Sequence, residues 1–249
     1  MSDSANGIQI IGVDCAVDVS NVGLALGFFD GQSTKLQQVA AGSRQNSPLE
    51  IILNWLDVEQ PVLLALDAPL GWPVHLGAAL AQHQAGQPIS TSPNQFFRRE
   101  TDTFIHALVG KQPMDVGADR IARTAHAALK LLDELRIRTS QPISLAWDSH
   151  LDKGLYAIEV YPAATLRSYG FNPKQVPQGD NTIEQAILAV AAEHMLGTGS
   201  ASISNRHAVD AVICVLAGAD FLQGDAVPPV NLETAQKEGW IWTRDPKHL

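Results

Sequence analysis

The chain has 249 residues, 45% hydrophobic and 17% charged, with 26 acidic against 17 basic side chains and a formal net charge of −9. That length suits one large globular domain or two small ones, and the absence of any apolar run of roughly 18 residues argues against a membrane partner. A protein that coats duplex nucleic acid is expected to be basic, because phosphate contacts supply most non-specific affinity; here only Arg98–Arg99 and a segment with Arg120, Arg123, Lys130, Arg136 and Arg138 are positive, so a nucleic-acid partner would be short or structured and touched locally.

The opening MSDSANG is polar and acidic, unlike a signal or transit peptide, and a cytoplasmic location is expected. Residues 8–14, IQIIGVD, read as a first strand, 22–30 as a second and 34–41 as a third. The link DGQS at 30–33 is a hairpin signal, since Asp-Gly adopts the positive φ of tight turns. An antiparallel three-stranded meander is therefore predicted. Residues 47–57 follow as a helix, with Ser47 to cap it and Pro48 in its first turn. PVLLALD at 61–67 is a continuous apolar run, as in a strand covered on both faces. Residues 86–118 are rich in Gly, Pro, Ser and Gln, and are expected to be irregular around one short helix. The segment 118–135 is amphipathic, with Ile121, Ala125, Ala128, Leu132 and Leu135 on one face. Strand 156–162, helices 181–196 and 205–222, and a short strand 239–243 complete the reading. Strands alternating with helices after a meander indicate an α/β fold with a mixed sheet, taken here as one domain over 1–249 with an irregular and helical insertion at 86–150. Cys15 and Cys214 lie far apart in apolar surroundings and read as reduced core thiols.

Three apolar strands each carry one acid at or near the end: Asp14, Asp67 and Glu159, the last one residue inside its strand. In open α/β sheets, ligands bind beyond the carboxyl ends of strands. Each acid could equally cap its loop. Asp67 precedes Ala-Pro-Leu-Gly-Trp-Pro, in which Pro69 forces an extended turn. A fourth acid, Asp210, shares a helical stripe with His207, Cys214, Ala217 and Phe221. The helix macrodipole favours an acid near the N-terminus, but does not explain an acid on the inward stripe. Four carboxylates gathered in one place would repel by about 4 kcal/mol per close pair at an effective dielectric near 20. A divalent cation relieves that, and oxygen ligands suit Mg²⁺ or Mn²⁺. Two such ions would activate water and stabilise a leaving oxygen in phosphodiester hydrolysis. Arg99 and Asp102, in FFRRETDTF, are three apart and face together if helical. Arg99 could bind a substrate phosphate, or the two could form a surface ion pair. His207 could act as a general base or a metal-site partner, or bond to carbonyls at the helix start.

The motifs GVD, LDAPLGWP, RRETD, IEVYPAATLRSYGF and HAVDAVICVLAGADFL, in that order over nearly the whole chain, resemble a bacterial and archaeal family of unknown function, number 429 among such families, predicted to be ribonuclease H-like nucleases. The last motif also resembles the final helix of the Holliday-junction resolvase branch, in which a His and an Asp serve the metal site. The resemblance implies a ribonuclease H-like sheet and a metal-dependent nuclease in which Asp14, Asp67, Glu159 and Asp210 hold Mg²⁺ or Mn²⁺. An ATP-using phosphotransferase of the actin and sugar-kinase branch is an alternative, but that branch places glycines directly after the first Asp and here none follows until Gly23. A non-catalytic binding module keeping the fold is the third possibility.

Overall fold

The structure, a computed structural model, describes residues 7–117, 119–198 and 205–248. Met1–Asn6, on which the reading of the polar opening rests, lie outside them, as does Ala118 at the start of the helix predicted from 118.

The predicted meander is present as β1 (Ile8–Asp14), β2 (Gly23–Phe29) and β3 (Thr34–Ala41), antiparallel throughout, with a register shift between Leu26 and Gly27. Its hairpin turns where expected: Gly31 sits at φ 96°, and the Asp30 carboxylate accepts from the backbone N–H of Gln32 and Ser33. β4 (Val62–Asp67) runs parallel to β1 on its other side. Beyond β4 lie β6 (Leu155–Glu159) and β5 (Ile143–Leu145), both parallel, while β7 (Met195–Leu196) adds a short parallel edge to β3. The strand order is β5-β6-β4-β1-β2-β3-β7. The molecule is thus an α/β protein with a mixed seven-stranded sheet, consistent with a ribonuclease H-like architecture.

Helices cover both faces. On one face lie α1 (Pro48–Trp55), capped by Ser47, and the long α5 (Asp119–Thr139). Their apolar stripes, including Ile52, Leu132 and Leu135, close over Ile11, Val13, Leu64 and Leu66. The opposite face carries α8 (Arg206–Gln223), which packs directly on β1, β2, β3 and β4. α6 (Pro162–Ser168) and α7 (Thr182–His194) pack on the outside of α8. That sandwiching explains why α8 is apolar nearly all round rather than amphipathic. Two glycines permit its close seat. A Cβ on Gly12 would strike the Ala211 carbonyl, and one on Gly23 would strike the His207 carbonyl. The first turn of α8 is thereby fixed against the ends of β1 and β2.

Residues 86–117 are more ordered than their composition suggests. They contain α3 (Pro93–Phe97), capped by Ser92, and α4 (Glu100–Val109), preceded in the chain by α2 (Val74–Leu80). The predicted strand 239–243 reduces to one bridge between Ile241 and Glu159. Trp240 and Trp242 there are core anchors, packed against Phe104 and Phe221. α6, β5 and α9 (Leu232–Glu238) are short segments without a periodic signal of their own, held by tertiary contacts. Among the described residues, no helix is long and apolar enough to cross a membrane.

Candidate active site

The parallel register of β1 and β4 sets Asp14 beside Asp67. Alternation along β1 turns Ile10 toward α8, and Ile11 and Val13 toward the α1–α5 side. Asp14 therefore emerges on the α8 face. Leu63 and Ala65 establish the same parity on β4, so Asp67 emerges on that face too. Here α8 begins. The Asn205 side chain accepts from the His207 N–H to cap the helix, and the next turn presents His207 and Asp210 to the strand ends.

Each of these groups meets a different partner. His207 Nδ1 lies 2.6 Å from Asp14 Oδ2, and the imidazole remains 40% exposed. Arg206 Nε donates to Asp210 Oδ2 at 2.9 Å, while Arg206 Nη1 stands 3.7 Å from Glu184. Asp67 is partly exposed and, among the described residues, has neither a hydrogen bond nor an ion pair to its carboxylate. Burial raises its pKa well above the usual carboxylate range, and the charges of Asp14, Asp210 and Glu159 all push the same way. Asp14 is pushed up to about 6, chiefly by burial; the hydrogen bond to His207 opposes this and Asp210 reinforces it. Tyr161, just past β6, is pushed up to about 12 by burial and by Asp67. Cys15 and Cys214 are free thiols close enough to feel the same acids, and burial followed by those charges drives both thiol pKa values up. That disfavours the thiolate form of both.

Glu159 does not join the group. It pairs with Leu66, not Asp67, so strand alternation turns it to the opposite face of the sheet. There Arg99 holds it through two bonds, Nη1 to Oε2 at 2.8 Å and Nη2 to Oε1 at 2.7 Å, and the Leu70 N–H donates to Oε2 at 2.9 Å. Its expected place among metal ligands is corrected accordingly: both of its oxygens are engaged.

The expected roles of Arg99 and Asp102 in substrate binding are corrected as well, and so is the alternative of a surface ion pair. Arg99 and Asp102 are each 1% exposed. Arg99 Nη2 and Nε donate to Asp102 Oδ1 and Oδ2, and its Nη1 also reaches the Glu238 carbonyl. Burial alone would lower the Arg99 pKa, but Glu159 and Asp102 more than reverse that, and the net shift is upward. Asp102 also accepts from the Arg99 N–H, which satisfies a backbone donor at the start of α4. Glu238 caps the neighbouring segments by accepting from the N–H groups of Val74 and Glu100. The cluster ties α4, the loop after β4, β6 and the end of α9 together, and leaves no donor for an outside phosphate.

Beside Asp67 and Asp210 opens a cavity of about 270 Å³ between α6, α7 and the start of α8. Arg167 and Tyr161 line it. Both lie within the segment IEVYPAATLRSYGF, in which the sequence reading gave a role to Glu159 alone; a cation five residues beyond a strand-end proline was the available signal.

Among the described residues, no group of three or more His, Cys, Asp and Glu side chains forms a ready-made cage for a metal ion. The carboxylates that converge nonetheless fit one kind of ion. Mg²⁺ keeps several waters and takes one or two carboxylates plus substrate oxygens, rather than a full protein cage. Two strand-end acids in register, one without a partner, supply that donor set.

A mixed sheet with an acid pair at adjoining parallel strand ends, and a buried helix laid over them, defines an α/β protein with a carboxylate-floored cleft. The particular family is set by the sequence match: over residues 12–234 the chain matches the family described as Protein of unknown function (DUF429), and it belongs to that family. No curated protein matches it.

Proposed function

We propose that the protein is a metal-dependent phosphodiester hydrolase of the ribonuclease H-like kind, acting at the cleft of Asp14, Asp67 and Asp210. The observation that carries this reading is Asp67. A carboxylate set beside a second in-register acid, desolvated and without a cationic partner, is costly unless something else compensates it. Asp14 and Asp67 would hold Mg²⁺ or Mn²⁺, with Asp210 at the margin. When bound, the ion would polarise a phosphoryl oxygen and lower the pKa of a coordinated water.

The chain's own groups have separate tasks. Asp14 orients His207 through Nδ1, which leaves an exposed imidazole at the rim suited to carrying a proton for general acid–base chemistry. Arg206 offsets the charge of Asp210. α6 and α7 bound one side of the cleft.

The test is hydrolysis of bis(p-nitrophenyl) phosphate and of labelled junctions, hybrids and single strands, with Mn²⁺ or Mg²⁺ and with EDTA. Metal-dependent cleavage is expected, reduced by about a hundredfold or more in Asp67→Asn and in Asp14→Asn. Cleavage that persists at the wild-type rate in both variants overturns the reading.

A further inference from the structure

We infer that the cavity beside Asp67 is a subsite for a single nucleotide unit, with the phosphate toward the cations at its rim and the base on its apolar wall. The inference rests on the proposed hydrolase reading and specifies its substrate: a strand end or a displaced nucleotide, not the middle of a duplex.

Size comes first. At about 270 Å³ the cavity lies at the lower edge of the roughly 300–1,000 Å³ range of small-ligand pockets, room for one nucleotide and little more. Its chemistry is divided. The acids Asp67 and Asp210 stand on one side, with Lys111, Arg167 and Arg206 also bordering it. Arg206 is already engaged by Asp210 and Glu184, but among the described residues neither Lys111 nor Arg167 takes part in an ion pair. Arg167 is partly buried on α6, so its stem is held against the cavity wall. A planar donor without a protein acceptor, next to an acid site, suits a phosphate oxygen. The remaining wall is apolar, with Phe171 after α6 and Ile183 and Ile187 from α7. Aromatic and aliphatic surface of this kind accepts the face of a base without reading its edge. With 26 acidic against 17 basic side chains, the molecule as a whole disfavours an extended phosphate backbone, while three cations border this cavity.

The test is calorimetry on the full-length Asp67→Asn protein in EDTA, which removes both metal and turnover. Uridine and adenosine 5′-monophosphates are the probes, with the nucleosides, inorganic phosphate and a 12-base-pair duplex as comparisons. The monophosphates are expected to bind at least about tenfold more tightly than nucleoside or phosphate alone, because both halves of the cavity then contribute. Arg167→Gln is expected to weaken them by about 10- to 100-fold, the loss of one charge-assisted bond, and Lys111→Gln by a smaller factor. Equal binding of phosphate alone, no effect of Arg167→Gln, or displacement of the monophosphate by duplex overturns the subsite. The two readings fail separately. Metal-dependent hydrolysis without mononucleotide binding removes the subsite and leaves the hydrolase, whereas mononucleotide binding without hydrolysis at any metal concentration does the reverse.

Discussion

Two groups of acids lie close to the same end of the sheet, and they are treated in opposite ways. Around Arg99, the carboxylates of Asp102, Glu159 and Glu238 are matched by a guanidinium or by backbone N–H groups, and each has its partners. Across the sheet, among the described residues, Asp14 meets an imidazole alone, Asp210 shares a half-exposed arginine, and Asp67 has no partner. A buried charge neutralised by the protein holds elements together, whereas one left uncompensated is held ready for something from outside. The contrast separates acids with a structural task from acids available for chemistry more clearly than burial does, since the structural ones are the more deeply buried.

The strongest way to break this comparison is to remove the central cation of the structural group. Arg99→Leu should cost about 3–5 kcal/mol, because it strands Asp102 and Glu159 in the interior. Urea denaturation followed by circular dichroism measures it, and a loss below 1 kcal/mol would erase the distinction. At the cleft the sign should reverse. Asp67→Asn removes a repelling charge with no partner, so the metal-free protein should unfold at higher urea than wild type while losing the stabilisation that millimolar Mn²⁺ gives.

The pH dependence follows from Asp14. Its carboxyl titrates near 6 in the folded protein, above its ordinary value of 3.8. The fold therefore favours the protonated form, and that contribution is complete below about pH 4 and lost as pH rises through 6. The difference in unfolding free energy between wild type and Asp14→Asn should drift by on the order of 2–3 kcal/mol from pH 4 to pH 7, with wild type losing. A flat difference would mean that Asp14 is adequately compensated by His207. Gly23→Ala probes how α8 is seated: a methyl group there meets the His207 carbonyl, and about 1–3 kcal/mol of overpacking cost is expected together with reduced hydrolysis. The exposed Arg138–Glu50 pair sets the lower bound. Both side chains are about half exposed, and Glu50→Gln should change stability by less than about 1 kcal/mol.

Much of this was legible before any coordinates. Asp14 and Asp67 stood out because each ends an apolar run, and the late helix with His207 and Asp210 was evident from its spacing. Glu159 gave the same local signal. What separates it from Asp67 is the pairing of β4 with β6, which matches it to Leu66 and turns it away. Arg99 looked like a surface residue because charged side chains usually are; its burial depends on Glu159 and Glu238, which are 60 and 139 residues along the chain. Arg167 had only a faint local mark, its place five residues beyond a strand-end proline, and gains meaning from the cavity that α6 and α7 border.

By itself, the order of apolar, turn and capping residues determined the meander, the α/β class and which acids end strands, because those features follow from short-range periodicity and backbone preference. Which acids face one another was decided only by tertiary structure. Strand register and the face a side chain takes are set by pairing between distant segments, and a shift of one residue is enough to move a carboxylate from the cleft to the other side of the sheet.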